Sequence, residues 1–283
     1  MKPANVCAIL VAALMTAAIP AAAQQRPLLT QDPETVGSGV VLVEGGLTYG
    51  HSIFFPASGL QGNLLQMPLV GVSVGVSSIA EVQLDGGPYD RLSITNRADA
   101  PLSSVVTATG NTTHDVDDLV FATKIRVLSE NPGRPSIGLR FATKLPNASN
   151  ESGLGLDTTD FHVQGLVGKT VQSVRIVGNI GLAILGDPTR PNNQNDDLDY
   201  GVSVARAVQQ GVEVVGEING RASTRSGVAP PGTESRAELR IGGRLTRGTV
   251  RLDAGLILGM TSSDPSFGLT AGATWVFKAF TVQ

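Results

Sequence analysis

The chain has little of three things that hold or address many proteins: cysteine, excess charge of one sign, and long apolar runs. Cys7 is its single cysteine in 283 residues, and it lies in an N-terminal apolar stretch. The remainder can form no disulfide and must be held by backbone pairing and packing. Charged residues make up 16%, with 21 basic against 24 acidic and a formal charge of −3. That balance supplies no basic footprint for nucleic acid. Beyond Ala23 no apolar run is long enough for a membrane helix, so a spanning structure would have to be a closed barrel. Aromatics are also scarce, at 4%.

What is present begins with an address. Lys2 is a basic start, Ile9 to Ile19 an apolar core, and Ala21-Ala22-Ala23 before Gln24 a small-residue cleavage site. Residues 1–23 therefore read as a secretory signal peptide, which removes Cys7 from the mature chain. Residues 24–39 are polar and Pro-containing, and are expected to form an extended periplasmic segment. Residues 40–283 carry the pattern of the fold.

That pattern is clearest between Thr249 and Phe280. Val250, Leu252, Ala254, Leu256, Leu258 and Met260 fall on one face, and Arg251, Asp253, Gly255 and Gly259 on the other, with Ile257 as a bulky exception. Phe267, Leu269, Ala271, Ala273, Trp275 and Phe277 then alternate with Gly268, Thr270, Gly272 and Thr274. A period of two says strand, with its faces in different surroundings. The same alternation recurs, placing about twelve strands near 40–54, 66–76, 80–96, 117–128, 136–145, 158–168, 172–185, 197–207, 212–222, 235–245, 248–260 and 266–280. Links after the even-numbered strands are short. Those after the odd-numbered ones, the first included, are longer and rich in Gly, Pro, Asn, Asp and Ser. Sorting of short and long links to opposite ends predicts an all-β, antiparallel up-and-down transmembrane β-barrel with both termini in the periplasm. A Greek-key sandwich would not sort its loops in this way.

In a barrel the polar face of each strand turns inward. Lys124, Arg126, Arg140 and Lys144 then form a basic lumen patch. Glu213 and Glu217 face Arg236, Arg240 and Arg244 on the next strand. Opposed ladders of this kind can pair across strands and set a transverse field. Inward small residues such as Gly75, Gly138, Gly201, Gly242 and Gly255 leave room beside them. Twelve strands lie between filled eight-stranded barrels and open sixteen-stranded ones, so a narrow pore is expected.

Other motifs lack their context. Gly71-Val72-Ser73-Val74-Gly75 spells a nucleophile elbow but sits within an alternating strand, where no strand-to-helix turn can form. His51, His114 and His162 lie apart without metal-ligand spacing. His162 is expected in the lumen beside Gln164. Asn193-x-Asn195-x-Asp197 starts like a calcium loop, but lacks the turn glycine and closing Glu, and reads as a solvated loop. No catalytic residue, metal site or cofactor site is expected.

Two resemblances complete the reading. Thr270-x-Gly272-x-x-Trp275-x-Phe277 is similar to the C-terminal signal by which barrel-assembly machinery takes its clients, although Lys278 to Gln283 follow it. Met67-Pro68, Ala80-Glu81-Val82, Asp118-Leu119 before Lys124, Lys144-Leu145-Pro146 and Asn179-Ile180-Gly181, in that order, resemble the outer-membrane transporter family linked to the MetA pathway of phenol degradation. The resemblance runs from Gly45 to Phe280. It implies a channel-like protein in the outer membrane of a Gram-negative-type bacterium, passing small solutes, hydrophobic or aromatic compounds among them. The partners it implies are outer-membrane lipid, the assembly machinery and small-molecule solutes. A barrel hydrolase of lipase or protease type and a closed structural or adhesive barrel stand as alternatives.

Overall fold

The computed structural model describes residues 26–281. The expected signal peptide and its cleavage site lie outside the described residues. Fourteen strands form one antiparallel sheet: β1 (Val40–Phe55), β2 (Leu60–Gly75), β3 (Ala80–Gly86), β4 (Asp90–Arg97), β5 (Thr112–Asp115), β6 (Val120–Leu128) and β7 (Ser136–Lys144), followed by β8 (Asp160–Val171), β9 (Val174–Gly186), β10 (Gln194–Gln209), β11 (Val212–Ser223), β12 (Arg236–Arg247), β13 (Val250–Gly259) and β14 (Phe267–Lys278). Strands next to one another in sequence pair, except β3 with β4 and β5 with β6, and β1 pairs with both β2 and β14, which closes the ring. The seam runs from Val40 opposite Lys278 to His51 opposite Phe267 without a register shift. The closing hairpin read from the sequence thus meets the first strand as expected.

The third expected strand is broken in two, and the fourth is preceded by a further short strand, β5, in what was expected to be loop. β3 and β4 are successive parts of one rising line, interrupted at Gly87-Pro88-Tyr89, and β5 and β6 are parts of the descending line beside it. The fourteen strands therefore make twelve spanning lines. Opposite the first break, β2 changes partner from β3 to β4, and Met67 and Pro68 pair with neither neighbouring strand. Proline has no N–H to give a ladder, so it sits in the one stretch of β2 that has no ladder.

A second difference concerns the first link. It was expected to be long, yet β1 and β2 continue as a hairpin to Phe55 and Leu60, joined by residues 56–59. Ser52, at a positive φ of 58°, marks a bulge there that interrupts the alternation and hides the strand extension. The other links sort as predicted. Turns at 172–173, 210–211 and 248–249 close one end, and loops at 98–111, 145–159 and 224–235 occupy the other.

The faces are inverted relative to a water-soluble protein. Outward Phe121, Phe161, Ile180, Val202, Leu256 and Trp275 are each about half exposed, while inward Glu81, Lys124, Asp197 and Thr274 are fully buried. A closed ring with an apolar belt outside and charges inside suits hydrocarbon outside and a polar interior. Ile257, the apolar exception on β13, points inward and is buried over Gly268 on β14.

Candidate functional site

The lumen is organised by residues that the sequence placed elsewhere. Residues 26–36, expected as part of an extended periplasmic segment, lie inside the ring. From Gly37 at the turn end the segment climbs past one strand after another until Arg26 reaches β14. The Glu81 carboxylate accepts the Val36 N–H at 2.6 Å, and Glu34 pairs with Arg126 at 2.6 Å. Arg175 grips Asp32 through Nε and Nη2 at 2.9 and 2.7 Å. Asn179 accepts the Gln31 N–H and donates to its carbonyl, at 2.6 and 2.7 Å. Glu217 accepts the N–H groups of Leu29 and Thr30, together with the Thr30 hydroxyl, at 2.6–2.8 Å. Arg244 donates to the Arg26 carbonyl at 2.7 Å, and Arg26 itself donates to Thr270 Oγ1 and the Ala271 carbonyl.

The inward glycines are the track for this segment. A Cβ on Gly242 would come within 2.9 Å of the Pro27 ring, and one on Gly138 within 3.2 Å of Pro33. At Gly75 the Gly37 carbonyl takes the position a side chain would need. Their small size leaves room, as the sequence implied, but the room is filled by the chain's own N-terminal segment and not by an open pore.

A cavity of about 630 Å³ remains above the segment, whose residues 26–31 form part of its floor. Glu44, Asp85 and Asp117 line it on the side of β1, β3 and the β5–β6 link, and Arg221, Arg236 and Arg240 line it on β11 and β12. Around the ring β11 and β12 lie across from β3 and β6, so opposite charges face one another over the space. His162 also lines the cavity, its Nδ1 2.7 Å from Asp199 Oδ2, and among the described residues no serine hydroxyl hydrogen-bonds this pair. Among those residues, too, no group of three or more His, Cys, Asp or Glu could hold a metal.

The nine charged residues singled out from the sequence divide into three sets. Arg140, Arg236 and Arg240 line the cavity. Arg126, Glu217 and Arg244 bind the segment, and Arg240 reaches it as well through the Pro27 carbonyl at 3.3 Å. Lys124, Lys144 and Glu213 are held in wall pairs. Lys124 is fully buried 2.9 Å from Glu81, Lys144 bridges Asp118 and Asp160 at 2.9 and 3.0 Å, and Glu213 lies 3.8 Å from Arg244 and 3.6 Å from Arg251. The register pairs Glu213 with Arg244 and Glu217 with Arg240, but Arg236 faces Arg221 and not a glutamate. The expected solvated loop at Asn193 to Asp197 is also corrected. Asn195 and Asp197 are buried on β10, with Asn195 donating to Asp197 at 2.7 Å and to the Thr233 carbonyl at 3.2 Å.

No family model and no curated protein matches this chain. Solved structures do. The chain is similar to the COG4313 outer membrane channel from Pseudomonas putida F1, with a TM-score of 0.57, 14% identity, and coverage of 87% of this chain and 98% of that one. It is similar to the translocator domain of autotransporter NalP from Neisseria meningitidis, at TM-score 0.52 and 11% identity over 85% and 89% of the two chains. The NanC porin follows at TM-score 0.51 and 8% identity, over 83% and 98%. At such identities the likeness is one of fold, and the fold is that of an outer-membrane β-barrel.

Proposed function

We propose that this barrel is a channel of the outer membrane for small solutes, aromatic or hydrophobic compounds among them, and a relative of the MetA-linked transporter family that its motifs resemble. The observation that carries this reading is the cavity of about 630 Å³ enclosed by a closed ring and faced by charges of both signs. Pockets of this volume take small molecules, and opposed charges orient a dipolar solute. The likeness in fold to a channel and a porin supports the same reading. Lipid surrounds the apolar belt, and β14 offers Thr270 to Phe277 to the assembly machinery during insertion. The loop end faces the cell exterior and the turn end the periplasm.

The N-terminal segment makes the passage conditional, because it occupies the turn-end half of the lumen. Passage requires that residues 26–36 shift, and Glu217 anchors them by three bonds, two to backbone N–H groups and one to the Thr30 hydroxyl. In a planar bilayer the wild-type chain is expected to show small, infrequent openings. Glu217→Ala, which removes three acceptor contacts, is expected to raise conductance or open probability several-fold, and Arg240→Gln to change ion selectivity. Absence of current in wild type and both variants, with folding verified by heat-dependent gel mobility, would sink the channel reading.

A further inference from the structure

We infer that the loop end of the cavity carries a binding site for a small carboxylate, built on Arg236 with Arg221 beside it. The inference rests on the reading of the cavity as a solute site and names the solute's charged group. Two arginines stand directly opposite one another on β11 and β12, both lining the cavity. Like charges in direct register destabilise a sheet, so the pair is not explained by strand pairing. Arg221 has partners of its own. Arg221 donates Nε and Nη2 to the carbonyls of Glu234 and Gly232, and lies 3.5 Å from Asp197.

Arg236 is the less committed of the two. Its ion-pair partner is Asp264 at 4.0 Å, too far for a hydrogen bond. The oxygen facing it is Oδ1; the Asp264 carboxylate is held in that position by its other oxygen, Oδ2, which accepts the Ala237 N–H, the Thr261 N–H and the Thr261 hydroxyl at 2.7–3.1 Å. Among the described residues Arg236 makes no hydrogen bond, and its Nε is buried without an acceptor. Arg240, the next cation along β12, is by contrast saturated by Glu238 at 2.9 Å through Nη2 and 3.1 Å through Nε.

A planar guanidinium with idle donors at the edge of a cavity matches the two oxygens of a carboxylate, and a second guanidinium adds charge without adding a competing acceptor. Glu44, Asp85 and Asp117 across the cavity, which outnumber Arg140 beside them, disfavour a second negative group on the solute. The ligand class is therefore a monocarboxylate whose remaining body is neutral or cationic.

Three probes of the same shape separate the possibilities: benzoate, benzyl alcohol and benzylamine, titrated calorimetrically into the full chain in detergent. Benzoate should bind at least about tenfold more tightly than either of the others, as expected for a charge-assisted, bidentate contact. Arg236→Gln should abolish that preference. Arg236→Lys, which keeps the charge and loses the fork, should weaken benzoate by an intermediate factor, and serves if the Gln variant fails to fold. Arg134→Gln, at the opposite end of the barrel, should leave all three affinities unchanged. Equal affinity for the three probes, no benzoate binding, or an Arg236→Lys variant indistinguishable from wild type would each overturn the site. Binding is read without a membrane, so a barrel that binds benzoate yet conducts nothing refutes the channel alone. One that conducts without binding benzoate refutes the site alone.

Discussion

The two ends of the lumen differ in their balance of charge and apolar packing. At the turn end Val36 of the segment packs with Val40, Leu42 and Val276, but the rest of the segment is held by charges. Asp32 with Arg175 and Glu34 with Arg126 fix the N-terminal segment against the wall, and Glu81, paired with Lys124, accepts the Val36 N–H. At the loop end, on the side of the long hairpin, the interior is apolar. Leu60, Leu64 and Leu92 are buried together, packed by Ile53, Phe55, Ile94, Val106 from the 98–111 loop and Leu154 from the 145–159 loop. An apolar cluster has no directional demand and is sealed by contact area alone. Ion pairs must be matched one for one, and are costly when one member is lost. The loops on this side are tied by packing as well as by hydrogen bonds, among them those from the Asn147 and Ala148 N–H groups to Asp118 and from Ser58 to the Gly153 carbonyl, while residues 26–34 of the segment are held mainly by polar bonds that can be exchanged individually.

The sharpest break of that contrast is at Lys124, whose side chain is fully buried. Lys124→Met strands the Glu81 charge and is expected to cost about 3–5 kcal/mol, whereas Lys124→Met combined with Glu81→Met should recover much of it. Stability measured by heat-dependent gel mobility or denaturant in lipid vesicles distinguishes the two; equal loss in single and double variants would mean that the pair is not the source. At the other end, Leu60→Ala removes packing from a side chain that is 1% exposed, and should cost about 2–5 kcal/mol. Its signature is local: protease cleavage within 98–111 and 145–159 should rise, with the segment at 26–36 unaffected. Cleavage rising equally at both ends would show that the lumen opens as one unit.

Much of the wall was legible in the sequence, because the period of two reports which side of each strand meets a polar interior. The seam between β1 and β14 followed from the same parity. The broken lines at 87–89 and 116–119 were not legible, since alternation resumes after each break and pairing partners are not written locally. The contents of the lumen were the larger miss. Inward glycines at 75, 138, 201 and 242 were read as free space, though a row of small residues is equally the imprint of a backbone lying on them. Arg26, Asp32 and Glu34 were the available signal. Each has an inward partner of opposite charge, but the partners lie on strands remote in sequence, so only the fold brings them together. The opposition of Arg221 to Arg236 was not legible, because it depends on register to the residue.

The smallest effect tests whether the segment's lower anchor is electrostatic. Glu130, in the link 129–135, accepts the Thr170 N–H at 2.7 Å and pairs with Arg175, the residue that holds Asp32. Burial acts to raise its carboxyl, but the Thr170 N–H, the Arg175 guanidinium, the Thr170 hydroxyl and Lys169 outweigh it, leaving the group below the ordinary glutamate value. A depressed carboxylate contributes stability that is complete above its unfolded value of about 4.3 and is lost as the pH falls through the lower folded value. Protection of the amides of residues 31–36 from hydrogen exchange, corrected for the intrinsic rate, should therefore be flat from about pH 7 to 5 and fall below about pH 4. Glu130→Gln should reduce protection modestly at neutral pH and diminish the acid step. If the step persists unchanged in that variant, Glu130 is not its source, and the anchor at the turn end consists of the direct pairs with Arg175 and Arg126 alone.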